Sequence, residues 1–225
     1  MILTNVKKQL GGFTLHVEKL AISKPGVYGL IGPNGSGKTT LAKIMAGLMR
    51  PDSGDVDTES LQHTDITFLD RKPYMTDDNV YNNLVYPLKL RGMKPDPGTT
   101  AMYIEMMKLK GREKQKAARL SAGEQQKLAF LRAVIFKPKL IIADEAMTAM
   151  DMDALDQFES LIPELQKETS QTWIIISHQM PQIRHLCDHI YFINEGRIIT
   201  EAAADDFFAR NANPLVDKYM RSYNG

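Results

Sequence analysis

Along the chain, apolar and polar positions repeat one theme: a short apolar run, a turn, then an amphipathic stretch. "GVYGLIG" (residues 26–32) is a near-continuous apolar run closed by glycine, which predicts a strand buried on both faces. In "KTTLAKIMAGLM" (38–49), Leu41, Ile44, Met45 and Leu48 fall on one helical stripe. Further strands are predicted at "DITFLD" (65–70), "PKLIIADE" (138–145) and "TWIIISH" (172–178), and "HIYFINEGRII" (189–199) reads as a hairpin near a sheet edge. Apolar runs without alternation belong to parallel sheets covered by helices, so the pattern predicts an α/β fold. Residues 72–137 break the rhythm. They hold Met-rich helical patterns such as "TTAMYIEMMKLK" and nothing that reads as a strand, so this stretch is predicted to be a helical insert.

Composition narrows the picture only slightly. The 225 residues suffice for one sizeable domain, and 43% hydrophobic with 24% charged residues is ordinary for a globular chain. A net charge of +1 gives no bulk attraction to nucleic acid or acidic membranes. The one cysteine, Cys187, excludes an internal disulfide and fits a reducing compartment. No apolar run approaches the roughly 20 residues needed to span a bilayer, and "MILTNVKKQLGG" lacks the apolar centre of a signal peptide. The expectation is a cytoplasmic protein that meets a membrane only through a partner. No repeat or low-complexity segment is evident.

Chemistry enters with "GLIGPNGSGKTTL". Residues Gly32, Pro33, Asn34, Gly35, Ser36, Gly37, Lys38 and Thr39 match G-x-x-x-x-G-K-[ST] between a predicted strand and a predicted helix, the context that this phosphate-binding loop requires. Gly35 and Gly37 let backbone N–H groups curl toward phosphate oxygens, and the helix N-terminus adds its partial positive charge. Lys38 reaches the outer phosphates, and the hydroxyl of Thr39, followed by Thr40, is a ligand for Mg²⁺. A plain glycine-rich turn would not need the full eight-residue match. In "LIIADE", four apolar residues bury a strand and leave Asp144 and Glu145 at its carboxyl end, where open α/β sheets bind ligands. Asp144 is the candidate second metal partner, and Glu145 the candidate base or orienter for an attacking water. His178, at the end of another strand, is placed to hydrogen-bond a γ-phosphate. The bland alternatives are solvent-facing charges at a strand end for the two acids and a structural role for the histidine.

"LSAGEQQKLAFLRA" (120–133) adds a family signal. With the phosphate loop, "LIIADEAMTAMD" and "IIISH" in this order, the chain from about residue 3 to 196 resembles the nucleotide-binding domain of ATP-binding cassette (ABC) proteins. The resemblance implies an α/β P-loop NTPase of RecA type, with a mostly parallel sheet, an N-terminal antiparallel β portion and an inserted α-helical subdomain. Residues 1–225 would form a single domain: 1–71 and 138–200 the ATPase core, 72–137 the helical subdomain with the signature, and 201–225 a short tail. It implies that Ser121 and Gly123 contact the γ-phosphate of ATP bound to a second subunit, and that Asp151 sits at the dimer seam. One chain then forms a head-to-tail dimer, with itself or with a second ABC subunit, closing on two ATP.

The match has departures. "FLDRKPYM" places Arg71 where the family has a glutamine; arginine has no acceptor and cannot bind Mg²⁺. Arg71 is then open to three readings: a γ-phosphate contact, a contact with a membrane partner's coupling helix, or an exposed charge without a role. Asp70 would take the metal role if needed. The adenine-stacking aromatic is expected near Leu10, which is not aromatic, with Phe13 as a substitute. The signature carries Ala122, and Glu124 must face away from phosphate; Ala146 stands where proline is usual. "HLCDH" (185–189) spaces two histidines one helical turn apart, but with Cys187 on another face it is a poor zinc site. The basic run "KLKGREKQKAAR" (108–119) lacks interleaved aromatics and reads as a solvated helix and linker. The methionines of the insert suit either core or an adaptable docking face.

A lone cassette of this length most resembles the separate ATPase subunit of an ABC transporter. Residues 71–92 resemble the segment where importer ATPases receive a permease's coupling helix, and the ending "EAAADDFFARNANPLVDKYMRSYNG" resembles the tail of ATPases serving tungstate, molybdate or phosphate importers. The implied function is ATP hydrolysis with Mg²⁺ that drives solute import. The implied partners are transmembrane permease subunits and an extracytoplasmic substrate-binding protein, without nucleic acid, and the implied place is the inner face of the cell membrane. The alternatives are an exporter ATPase, or a non-transport ATPase of the iron–sulfur assembly or cell-division type.

Overall fold

In the computed structural model, which describes residues 1–58, 61–209 and 213–221, two sheets share one helix between them. The larger is built from β3 (Gly26–Ile31), β5 (Ile66–Leu69), β6 (Leu140–Asp144), β7 (Thr172–Ile176), β8 (His189–Asn194) and β9 (Arg197–Ala203). Its order is β5-β6-β7-β3-β8-β9, parallel except for the β8–β9 hairpin that forms one edge. The smaller is an antiparallel sheet of β1 (Ile2–Leu10), β2 (Phe13–Ala21) and β4 (Ser53–Asp57), in the order β2-β1-β4.

The apolar runs fill both faces of the large sheet. Val27 and Ile31 of β3, Ile141 and Ala143 of β6, Trp173 and Ile175 of β7, and Ile190 and Phe192 of β8 enter one core. Their neighbours Tyr28, Leu30, Ile142, Ile174, Ile176, Tyr191 and Ile193 enter the other. The period-2 geometry of a strand turns an unbroken apolar run into two buried faces. The second core is closed by α1 (Lys38–Met45) and by Leu3, Val6, Leu15 and Val17 of the antiparallel sheet. The first is closed by α2 (Val80–Leu90), α3 (Pro97–Met106), α4 (Ala122–Val134), α5 (Met152–Thr169), α6 (Met180–Leu186), α7 (Ala204–Ala209) and α8 (Pro214–Arg221). Phe130 of α4 lies 4.4 Å from Phe158 of α5 and 5.7 Å from Trp173, ring centre to ring centre, so aromatic stacking pins α4 to the sheet.

The five apolar runs predicted as strands or a hairpin are present. Between β5 and β6 come α2, α3 and α4 with no named strand among the described residues. Two sequence readings need correction. Helix α1 ends at Met45, because Gly47 at φ +71° turns the chain, and Leu48 is 64% exposed rather than part of the apolar stripe. The "HLCDH" stretch is not helical throughout. His185 lies on α6 while His189 opens β8 and stacks on Tyr28, and no metal-ligating cluster occurs among the described residues. The basic run is largely paired: Lys108 with Asp153, Arg112 with Glu124 and Lys116 with Asp77. In the C-terminal stretch, 210–212 and 222–225 lie outside the described residues. No helix among the described residues is long and apolar enough to cross a membrane.

Candidate active site

The chemistry gathers at the carboxyl ends of four neighbouring strands, β5-β6-β7-β3. Residues 32–37 follow β3, Asp144 ends β6 with Glu145 directly after it, His178 follows β7, and Arg71 follows β5. Parallel strands point their carboxyl ends the same way, so residues scattered over more than 140 positions converge at one edge.

The loop after β3 is shaped by glycine. At Gly32, φ is +150° and an added Cβ would stand 1.9 Å from the Ile193 carbonyl oxygen. At Gly37, the N-cap of α1 at φ +104°, a Cβ would meet the Phe13 ring at 2.9 Å. The turn after β8 clamps the loop from outside, Gly196 N–H donating to the Ser36 carbonyl at 2.9 Å. The buried Ser36 Oγ has no hydrogen-bond partner. An orphaned hydroxyl in a glycine-shaped loop that opens a helix is suited to an anion. Lys38 folds back over the loop, its Nζ donating to the carbonyls of Gly32 and Pro33 at 2.8 Å each. Burial lowers its pKa, and the carboxylates of Glu145 and Asp144 pull it back up. Asp144 is buried and its pKa is raised, first by that burial and then by Glu145 and Asp70, against a hydrogen bond from Thr39 and the charge of Lys38. Thr39 and Asp144 thus form an all-oxygen pair beside the loop, a donor set that suits Mg²⁺.

Glu145 is the most constrained residue of the group. Its φ is +51°, a left-handed conformation that costs a non-glycine residue about 1–2 kcal/mol. Its N–H donates to the Ile176 carbonyl at 2.9 Å, and its own carbonyl accepts from Thr148 Oγ1 at 3.1 Å. Its carboxylate is held at both oxygens, Oε1 at 2.9 Å from His178 Nε2 and Oε2 at 3.3 Å from Arg71 Nη1.

Ser121, Gly123 and Asp151 form a second cluster. Ser121 caps α4 in a reciprocal box with Glu124, Ser121 N–H donating to Glu124 Oε2 at 2.8 Å and Glu124 N–H to Ser121 Oγ at 3.3 Å. Arg112 Nη1 takes the other oxygen of Glu124 at 2.7 Å, so this carboxylate is committed locally. A Cβ on Gly123 would stand 2.8 Å from the Ala149 carbonyl, so the helix start is packed against the loop before α5. Asp151 caps α5 and accepts from the buried Lys127 Nζ at 2.8 Å.

Two features escaped the sequence reading. A cavity of about 740 Å³ opens beside the phosphate loop, lined by Phe13, His16, Asn34, Gly35, Asn194 and Arg197 among others. Leu10 pairs with Phe13 across the β1–β2 turn but does not line it. Gln126, buried on α4, donates through Nε2 to the Arg71 carbonyl at 3.1 Å and accepts through Oε1 from Ala149 N–H at 2.8 Å. Nothing in "GEQQKL" distinguishes that glutamine from its neighbour Gln125 except its place on the inward face of α4.

Fold and site together define an α/β P-loop nucleoside triphosphatase with an antiparallel β layer and helices inserted between β5 and β6. The profile described as "ABC transporter" matches residues 15–148. The tungstate uptake system ATP-binding protein TupC of Peptoclostridium acidaminophilum is 37% identical over 213 residues, 91% of this chain and 98% of that protein. The sulfate/thiosulfate import ATP-binding protein CysA of Bacillus cereus (strain ATCC 10987 / NRS 248) is 30% identical, covering 97% of this chain and 66% of that one. A dimeric ATP-binding cassette structure in a post-hydrolysis state with ADP and Pi superposes with a TM-score of 0.77 at 24% identity, over 91% of this chain and 99% of that one. The chain belongs to the ABC transporter family, as an ATP-binding subunit with ATPase activity coupled to transport.

Proposed function

We propose that this subunit powers solute import through a separate transmembrane permease, working as a head-to-tail dimer on two ATP at the cytoplasmic face of the membrane. The observation behind the chemistry is the convergence of Lys38, Thr39, Asp144, Glu145 and His178 at adjacent strand ends. The loop of residues 32–39, through the backbone N–H groups of its non-proline residues, binds the phosphates together with Thr40 and Lys38. Thr39 and Asp144 would hold Mg²⁺, which supplies charge neutralisation between the phosphates. Glu145 takes a proton from the attacking water, and His178 orients Glu145. Phe13 lines the cavity beside the loop and is the candidate platform for the adenine ring. Ser121 and Gly123 serve the ATP of the partner subunit, with Asp151 at the seam.

Import, rather than export or a non-transport role, is favoured by the relatives, ATP-binding proteins named for uptake and for import. The names of both relatives refer to oxyanions, tungstate and sulfate or thiosulfate, so a tetrahedral oxyanion is the proposed cargo. An extracytoplasmic binding protein would select it. Tyr74 is 76% exposed before α2, and on α2 the exposed Tyr86 and Leu90 stand four residues apart on one face, so this segment offers the permease apolar contact area. The test is to co-express the chain with a candidate permease and assay Mg-ATP hydrolysis of the purified complex. The complex is expected to hydrolyse ATP and to retain the subunit through purification. Lys38→Ala should lose tight ATP binding while still joining the permease; unchanged ATP affinity in that variant would contradict the site.

A further inference from the structure

We infer that Arg71 acts on Glu145 itself, restraining the carboxylate of the base and thereby throttling hydrolysis in the isolated subunit. The inference rests on the ATPase reading above. Of the three sequence readings of Arg71, none had it on Glu145, yet its Nη1 stands 3.3 Å from Glu145 Oε2. The other oxygen is already taken by His178 at 2.9 Å. A carboxylate offers about four lone-pair positions, and here a cationic or imidazole nitrogen lies within 3.3 Å of each oxygen. A guanidinium has five donors, no acceptor and a permanent charge, so beside Glu145 it attracts the carboxylate and repels a cation.

The position is built from the main chain outward. Gln126 ties the Arg71 carbonyl to α4 and, through its other end, to Ala149. Arg132, six residues and so about 1.7 turns further along α4, donates to the Tyr74 carbonyl at 2.6 Å and to Asn83 Oδ1 at 3.3 Å. Asn83 Oδ1 in turn accepts from Thr76 N–H. The stretch from Arg71 to α2 is therefore hooked to one helix at several points, and the guanidinium reaches Glu145 from an anchored backbone. The Arg71 side chain is itself 68% exposed. Solvent screens such a pair, so it is a weak restraint that a shift of the loop can release, not a structural weld.

The test is steady-state ATP hydrolysis by the purified subunit with Arg71→Met, which keeps the aliphatic stem and removes charge and donors, and with Arg71→Lys, which keeps a cation. The Met variant is expected to show a kcat at least threefold above the parent with its KM for ATP within twofold, and the Lys variant to stay within twofold of the parent in both. A smaller rise or a fall in the Met variant, a changed KM, or a Lys variant that rises with it would each overturn the inference. A parent subunit that hydrolyses no ATP, alone or with its permease, would defeat the ATPase reading and the inference together. A parent that hydrolyses ATP while the Met variant fails to exceed it defeats the inference alone.

Discussion

Glu145 pairs an unfavourable backbone with a side chain held from two sides, and that combination separates what a sequence shows from what it hides. Its residue type and its place at the end of an apolar run were legible, because a strand buried on both faces can leave acids only at its ends. Its partners were not, since Arg71 and His178 arrive from other strands whose adjacency to β6 depends on sheet order. The same holds for Gly32. The eight-residue spacing predicts a glycine, but the reason, a β8 carbonyl that a Cβ would strike at 1.9 Å, is a tertiary contact. Gly32→Ala is therefore expected to destabilise the chain by about 2–3 kcal/mol through overpacking and strain. For a domain of this size that lowers the melting temperature by roughly 4–12 °C. Thermal unfolding monitored by circular dichroism checks it, and an unchanged melting temperature would mean that the loop relaxes freely.

Among elements, α4 is the common support. Its N-terminus presents Ser121 and Gly123, its middle holds Arg71 and Ala149 through Gln126 and Asp151 through Lys127, and Phe130 fixes it to the sheet. Gln126→Leu would leave the Arg71 carbonyl and the Ala149 N–H without this partner, at a cost of about 1–3 kcal/mol. The expected result is a melting temperature lower by roughly 2–12 °C; no change would show that water or another group replaces the amide. Strands β3, β6, β7 and β8 were readable because burial on both faces leaves continuous apolar runs. Strands β1, β2 and β4 did not emerge from the pattern, only from the family resemblance. β1 and β2 bury only a few positions each among exposed polar residues, and "SGDVD" of β4 has no fully buried residue. The end of α1 was misread because Gly47 stops the helix while apolar residues continue to Met49.

For the whole molecule, the proposed function assigns ATP phosphates to two separate parts of one chain, the phosphate loop among strand ends and Ser121 at the start of α4. On that proposal a single chain has half of each of two sites, and two chains are required to complete them. Glu145→Gln keeps the shape of the side chain while removing the base. It should bind ATP, hydrolyse it at least ~100-fold more slowly and hold the two-chain state open to measurement. The most direct measurement is the mass of this variant by light scattering with and without saturating Mg-ATP. The account predicts the mass of one chain without nucleotide and of two chains with it. One-chain mass under saturating Mg-ATP at high protein concentration would contradict it.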